Sequence, residues 1–149
     1  YFNNKMASNT TICANRVNSN STSSGTTVFK QNVRNVSENV SLSLADSGAV
    51  IVPTGGARTI TLPAVANSAG FHVKILMGSD NNHIVNGGGA KIQGFVYDNT
   101  NGTTLARTTI SNTTTITLAN GERGDVLNIH GDGTNFYVNG MLNDTPVLA

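Results

Sequence analysis

Short stretches in which apolar and polar residues alternate follow one another along most of the chain. Between residues 70 and 78, for example, Phe71, Val73, Ile75 and Met77 alternate with more polar neighbours. A period of two residues places the apolar side chains on one face of a β-strand. The same pattern predicts eight or nine strands, at residues 49–53, 57–63, 70–78, 82–86, 90–98, 104–110, 113–119, 125–130 and 135–140.

Turn signals separate these strands. Asn-Gly and Asp-Gly pairs tolerate the positive φ angles of tight turns, and they occur at Asn86-Gly87, Asn101-Gly102, Asn120-Gly121, Asp132-Gly133 and Asn139-Gly140. Gly94, inside a predicted strand, indicates a β-bulge. Many short strands at this spacing predict an all-β fold, an antiparallel β-sandwich of the jelly-roll kind. A parallel β-helix is the main alternative, although no clean short repeat supports it.

The first 40 residues follow a different pattern. Residues 1–27 are polar and irregular, so they are too poor in apolar surface to form a core alone. We therefore expect an N-terminal arm over residues 1–40, which anchors the protein or is exchanged between subunits, and a β-sandwich domain over 41–149. Met6-Ala7-Ser8 has the form of a translation start, which makes residues 1–5 a tag or a misassigned start; proteolytic maturation is the other explanation for a sequence that begins at Tyr1.

Apolar residues recur at steps of four, three and four within residues 28–40 of this arm. That spacing predicts a short amphipathic helix. An extended arm is the alternative, because Val and Asn are poor helix formers and the segment is short. In either form, the apolar side chains are candidate contacts with another subunit or with a capsid: Phe29, Val33, Val36 and Val40.

Composition supports the all-β prediction and excludes several functions. Charged residues make up 11% of the chain, against about 25% in typical soluble domains. The nine basic residues are scattered, so we expect no nucleic-acid binding. No apolar run reaches the ~18 residues of a membrane span, and no signal peptide is visible. A single cysteine, Cys13, excludes a disulfide within one chain.

The chain contains many sites of the N-x-S/T type, at which glycosylation requires passage through a glycosylating machinery. In a sequence this rich in Asn, Ser and Thr, many of them arise by chance. The candidate positions are Asn9, Asn20, Asn35, Asn39, Asn101, Asn112 and Asn143.

The segment GDVLNIHGDGTNFYVNG, residues 124–140, combines acids, a histidine and glycines. Its alternation and its Asp-Gly pair favour an ordinary β-hairpin over a metal site, because calcium requires several closely spaced oxygen ligands. We expect Asp132 to accept backbone hydrogen bonds in the turn, and Asp125 and His130 to lie on the solvent face. The residues expected in the core are Leu127, Ile129, Phe136 and Val138.

No catalytic motif stands out. The histidines, His72, His83 and His130, lie on separate predicted strands without paired spacing, and no G-x-S-x-G elbow occurs. Most acids flank turns, although a pair of carboxylates in one cleft would indicate glycoside hydrolysis; the candidates are Asp80, Asp98, Glu122, Asp125 and Asp132. We therefore predict no enzyme, no catalytic residues, no metal and no cofactor.

Two segments together resemble a known group of proteins. SLADSGAVIVPTGGARTITLPAVANSAGFHVKILMG (43–78) and ERGDVLNIHGDGTNFYVNG (122–140) resemble, in this order, small all-β surface modules of phages and large DNA viruses. The resemblance implies a non-enzymatic structural protein of the virion surface: a capsid decoration, head-fibre or spike protein. It also implies a homotrimer, with the N-terminal arm anchored on the major capsid protein or another virion protein.

Other functions stay open from the sequence. A glycan- or receptor-binding adhesin would need aromatic platforms, for which Tyr97 and Tyr137 are the plausible outward aromatics; its partner would be a host-surface glycan. An extracellular filament subunit of a cell surface, built from the same strands and turns, is a further alternative.

Overall fold

The computed structural model describes residues 31–99 and 105–149. These residues lie in one β unit that spans Gln31–Ala149. The described part contains twelve strands: β1 Val33–Val36, β2 Val40–Ser41, β3 Val50–Pro53, β4 Thr59–Thr61, β5 His72–Leu76, β6 His83–Asn86, β7 Lys91–Asp98, β8 Ala106–Thr113, β9 Thr115–Leu118, β10 Val126–Gly131, β11 Asn135–Leu142 and β12 Val147–Leu148. Two short 3-10 helices, Leu44–Asp46 and Val65–Asn67, complete the elements.

All nine predicted strands are present, and the all-β class is confirmed. The strands form a seven-stranded sheet in the order β1-β3-β5-β10-β11-β7-β8 and a five-stranded sheet in the order β12-β9-β6-β4-β2. Within the described residues, five of the ten strand pairs are parallel. The expectation of purely antiparallel sheets is therefore wrong, and a jelly roll is not confirmed.

The first six strands alternate between the two sheets and pair in parallel within each sheet. This is the winding of a parallel β-helix, the alternative that lacked a sequence repeat. The repeat is hidden because the turns of the winding differ in length. Val33 lies beside Val50, 17 residues further on, whereas Val50 lies beside Lys74, 24 residues further on.

One hydrophobic core lies between the two sheets. Alternate residues of both sheets point into it, as a period of two requires, and the expected core positions of the last hairpin are all buried. The largest contributions come from Ile51, Ile75, Leu127, Ile129 and Phe136 of the larger sheet and from Ile60, Val85 and Ile116 of the smaller one. Phe71 and Phe136 meet edge to face, with ring centroids 6.3 Å apart.

The predicted hairpin of the segment 124–140 forms between β10 and β11, with His130 beside Tyr137. The predicted bulge at Gly94 is also present as a register shift between β7 and β8. One turn prediction is wrong, because Asn139-Gly140 lies inside β11. Gly140 is needed there for close packing: a Cβ on it would lie 2.2 Å from the carbonyl oxygen of Val126.

The helix predicted over residues 28–40 is wrong where the structure describes it. Residues 33–36 form β1, which pairs in parallel with β3, and β2 begins at Val40. Val is a strong strand former, and the partner strand supplies hydrogen bonds such as that from the Thr54 N–H to the Val36 carbonyl, at 2.9 Å. Residues 31–40 thus belong to the β unit rather than to an arm; Phe29 lies outside the described residues. No helix in the described ranges is long and apolar enough to cross a membrane.

Candidate functional site

The side chains of the seven-stranded sheet that point away from the core form a surface that we call the outer face. In the part of the chain that the structure describes, its cations are Lys74 on β5, Lys91 on β7 and Arg107 on β8, and no strand position on this face carries a carboxylate. Tyr97 and Tyr137 are 39% and 43% exposed on the same face. The structure thus brings the two candidate outward tyrosines together with three cations.

An aromatic cluster occupies the β7–β8 part of the outer face. The rings of Phe95 and Tyr97 pack edge to face, with centroids 5.8 Å apart. The guanidinium carbon of Arg107 lies 4.5 Å from the centre of the Phe95 ring, a cation–π contact that orients the arginine. The proximity of Phe95 and Tyr97 could be read from the sequence, because residues two positions apart on a strand point to the same side.

Two of the three histidines meet on the outer face. The rings of His72 and His130 are stacked, with centroids 6.2 Å apart and 15° between their planes. The hydroxyl oxygen of Ser47 lies 3.4 Å from Nδ1 of His72. His83 lies elsewhere, in the core, and the residues that the structure describes contain no group of three His, Cys, Asp or Glu side chains that could hold a metal ion.

The turn between β10 and β11 is held by Asp132, as expected. Its carboxylate accepts the backbone N–H groups of Thr134 and Asn135, each at 2.7 Å. These hydrogen bonds, first that of Asn135 and then that of Thr134, lower the pKa of Asp132, with a smaller contribution from the hydroxyl of Tyr137. The carboxylate therefore holds the backbone of the turn.

A polar cleft with a volume of about 790 Å³ lies among the loops at one end of the strands. Asp80 and Glu122 both line it, so the structure brings two of the candidate carboxylates to one cleft. Asp80 accepts the backbone N–H of Arg123 at 2.9 Å and lies 3.9 Å from its side-chain Nε. The cleft can hydrogen-bond a polar ligand, but Asp80 is already engaged in holding the loop. Its lining residues are Ala57, Asp80, Asn81, Asn82, Asn120, Gly121, Glu122 and Arg123.

The other candidate carboxylates are structural. Asp98 is fully buried and accepts the hydroxyl of Thr108 at 2.6 Å. Asp125 was expected on the solvent face, but it is buried and accepts the backbone N–H groups of Glu122 and Asn143. Its burial arises because the loop before β10 and the segment after β11 both fold over its carboxylate, which strand alternation alone does not reveal.

His83 lies in the core next to the loop that forms the cleft. Its Nδ1 accepts the backbone N–H of Arg58 at 3.1 Å, and its Nε2 lies 3.2 Å from the Ser79 hydroxyl, which donates to the carbonyl of Gly55. If Nδ1 were protonated, two N–H donors, that of His83 and that of the Arg58 backbone, would point at each other. Burial lowers the pKa of His83; a hydrogen bond to the backbone of Ser79 opposes this, and the charge of Arg58 lowers the pKa further.

The edge strands β1 and β2 mark one end of the two sheets, which we call the open end. Within residues 31–99 and 105–149, each of these strands pairs on one side only. Val33 is 59% exposed there and Val40 is half-buried, whereas Val36 is 5% exposed and packs into the chain's own core. Val36 is therefore wrong as a candidate contact for a partner.

An ion pair links β1 of the open end to the first 3-10 helix. Arg34 donates to the Asp46 carboxylate at 2.8 Å, and the other carboxylate oxygen accepts the backbone N–H and the hydroxyl of Ser43. Burial raises the pKa of Asp46, but the hydrogen bonds from Ser43 and the charge and hydrogen bond of Arg34 together hold it below its usual value.

The candidate glycosylation sites differ in accessibility. Asn35, Asn39 and Asn112 are exposed, although the Asn39 side-chain oxygen accepts the Thr59 N–H at 2.9 Å, and Asn143 is half-buried. Asn9, Asn20 and Asn101 lie outside the described residues.

Comparison with known proteins gives no relative: no family model, no curated protein and no solved structure matches the chain.

Proposed function

We propose that the protein is a non-enzymatic structural module of a virus particle surface, which assembles as an oligomer through its open end. The observation that carries the proposal is the pair of edge strands β1 and β2, which terminate both sheets at the same end of the molecule. The anchoring role proposed for the N-terminal arm then falls to the residues before Gln31.

Edge strands favour assembly because their outward N–H and C=O groups can pair with a further strand. At the open end the two sheets offer such edges side by side, since a turn of only three residues joins β1 to β2. The exposed Val33 adds an apolar contact beside these backbone groups. A second subunit could thereby extend both sheets at once.

The opposite edge of the larger sheet is less suited to pairing. Strand β8 carries the charged Arg107 and ends near Asn112, whose φ of 52° distorts the strand. Charges and local distortion are the usual means by which edge strands avoid pairing. The open end lacks both features in β1, apart from Arg34, whose side chain is paired with Asp46.

The experiment compares Val33→Lys with Val147→Lys by analytical ultracentrifugation. Val33 and Val147 are equally exposed, at 59%, and both lie on edge strands. Val33 lies on β1 at the open end of the seven-stranded sheet, whereas Val147 lies on β12, at the other end of the five-stranded sheet from β2. We expect the unmodified chain and Val147→Lys to form an oligomer, which should contain three subunits if the protein is a virion surface module. We expect Val33→Lys to dissociate. A monomeric unmodified chain, or equal effects of the two substitutions, would contradict the proposal.

The open end also supports the second candidate, a subunit of a cell-surface filament. An edge that pairs with a different surface of the next copy produces rings when the rotation closes and filaments when it does not. Electron microscopy of the assembled protein distinguishes the two, because closed particles of fixed size favour the virion module and open fibres favour the filament.

A further inference from the structure

We propose that the outer face binds an acidic polysaccharide that carries carboxylates, a role that goes beyond assembly through the open end. The proposal rests on the charge and chemistry of this face, which combines Lys74, Lys91 and Arg107 with the exposed rings of Tyr97 and Tyr137. Within residues 31–99 and 105–149, none of the strand positions on the face is acidic. The Asp132 carboxylate reaches the Tyr137 hydroxyl from the β10–β11 turn, so the three cations outnumber the one acid at this face and its charge is complementary to a polyanion.

The register fixes how far apart the cations lie. Lys74 aligns with Asn128, Asn139, Phe95 and then Thr109 across four strand steps, and Arg107 lies two residues from Thr109. With strands ~4.8 Å apart and residues ~3.4 Å apart along a strand, Lys74 and Arg107 are about 20 Å apart. Such widely spaced cations match a chain with occasional carboxylates better than a densely charged polymer.

The surface between these cations suits sugar rings. Tyr97 is the cross-strand partner of Arg107, and Tyr137 is the cross-strand partner of His130. Each tyrosine ring can pack against the apolar face of a sugar. Asn128 donates to Asn139 at 3.0 Å. This bond uses one donor and one acceptor, so each amide keeps a further group for a sugar hydroxyl.

Arg107 is oriented for a carboxylate. Its guanidinium lies over the Phe95 ring, and its Nη1 donates to the Thr109 hydroxyl at 3.3 Å. The N–H groups on Nε and Nη2 remain to bind the two oxygens of one carboxylate. A nucleic acid fits less well, since three cations neutralise few phosphates and phosphate contacts dominate nucleic-acid affinity. The polar cleft is a different site, at the loops rather than on the sheet face.

The test measures binding of alginate oligosaccharides, which are carboxylated, by titration calorimetry. Neutral dextran and a single-stranded oligodeoxynucleotide serve as comparison ligands. We expect alginate binding that weakens as salt is added, and little binding of the other two. Equal binding of dextran, or tighter binding of the oligonucleotide, would overturn the proposal, as would the absence of alginate binding at low salt.

Substitutions locate the site. Lys74→Gln and Arg107→Gln should each weaken alginate binding about fivefold, and Tyr137→Ala about tenfold. Arg123→Gln removes the same charge from the polar cleft, so a loss there instead of on the sheet would overturn the assignment. The measurements are repeated with the unmodified chain above and below the concentration at which it dissociates, because a lysine at residue 33 would add a cation to the same face as Lys74. Binding retained after dissociation separates this role from assembly through the open end, and binding lost with the oligomer would contradict an outer-face site within one chain.

Discussion

Three glycine-to-alanine substitutions separate two costs that close strand packing imposes. At Gly124, φ is +99° but a Cβ would meet nothing within 4 Å, so only backbone strain is introduced. At Gly140, which lies outside the left-handed region, a Cβ would lie 2.2 Å from the Val126 carbonyl oxygen, so only a steric clash is introduced. At Gly94, φ is +140° and a Cβ would lie 2.0 Å from the Val138 carbonyl oxygen, so both occur.

The magnitudes follow from these geometries. Placing alanine at a positive φ costs about 1–2 kcal/mol, and overpacking between strands costs about 1–3 kcal/mol or more. Each substitution also restricts the unfolded chain, which offsets about 0.4–1 kcal/mol of each loss. This offset enters the sum of two losses twice and the Gly94→Ala loss once, so it adds to the Gly94→Ala loss in the comparison. We therefore expect Gly94→Ala to lower the free energy of unfolding by roughly the sum of the other two losses, about 2–5 kcal/mol.

Urea unfolding at pH 7 provides the assay, with the midpoint and the m-value measured for each variant. An unchanged m-value shows that each variant exposes the same amount of surface on unfolding as the unmodified protein. The reasoning fails if Gly94→Ala is no more destabilising than Gly124→Ala, because the clash with β11 would then be relieved without cost. It also fails if Gly140→Ala has no effect.

Three further substitutions test the core and the buried charges. Phe136→Ala should cost about 3–5 kcal/mol in urea unfolding, because it empties a fully buried site and removes the edge-to-face contact, whereas Phe136→Leu should cost far less. Asp46→Asn should lower the free energy of unfolding by about 1–2 kcal/mol at pH 7. Because the folded pKa of Asp46 lies below its unfolded value of ~3.9, the difference between the two proteins should vanish as pH falls through the folded pKa. A difference that stays constant with pH would contradict this. Because the folded pKa of His83 is also lowered, its contribution is complete above pH ~6.5 and is lost below it. His83→Gln should therefore flatten the pH dependence of the free energy of unfolding between pH 7 and 5, and an unchanged pH dependence would contradict this.

The strands and their buried faces could be predicted from the sequence because alternation acts over a few neighbouring residues. Val73, Ile75, Leu127 and Ile129 all occupy the faces that their parity indicates. Alternation says nothing, however, about which strand lies alongside or in which direction. The parallel pairing of β3 with β5 joins residues 24 apart across a segment that contains a strand of the other sheet, and no local signal encodes it.

The candidate surfaces were predictable only in part, for the same reason. Tyr97 and Tyr137 were identified from parity, but their neighbourhood with Lys74 and Arg107 depends on the pairing order of five strands. Val36 was misread because the three steps that join Phe29, Val33, Val36 and Val40 fit the period of a helix, whereas Val33 and Val36 are the two ends of β1 and Val40 begins β2. The burial of Asp125 depends on Asn143, which lies 18 residues away and beyond a whole hairpin.

The alternating winding of β1 to β6 has a consequence for the order in which the protein folds. Its strand pairs join residues 17 or more positions apart, whereas β10 and β11 are joined by a turn of three residues. Loop closure is slower for distant pairs, so the β10–β11 hairpin is expected to form early and the pairs of the winding later. The strands at the end of the winding, β1 and β2, each have one neighbour to hold them. The surface proposed for assembly would then be among the last parts of the subunit to become ordered, so that subunits join only after most of each has folded.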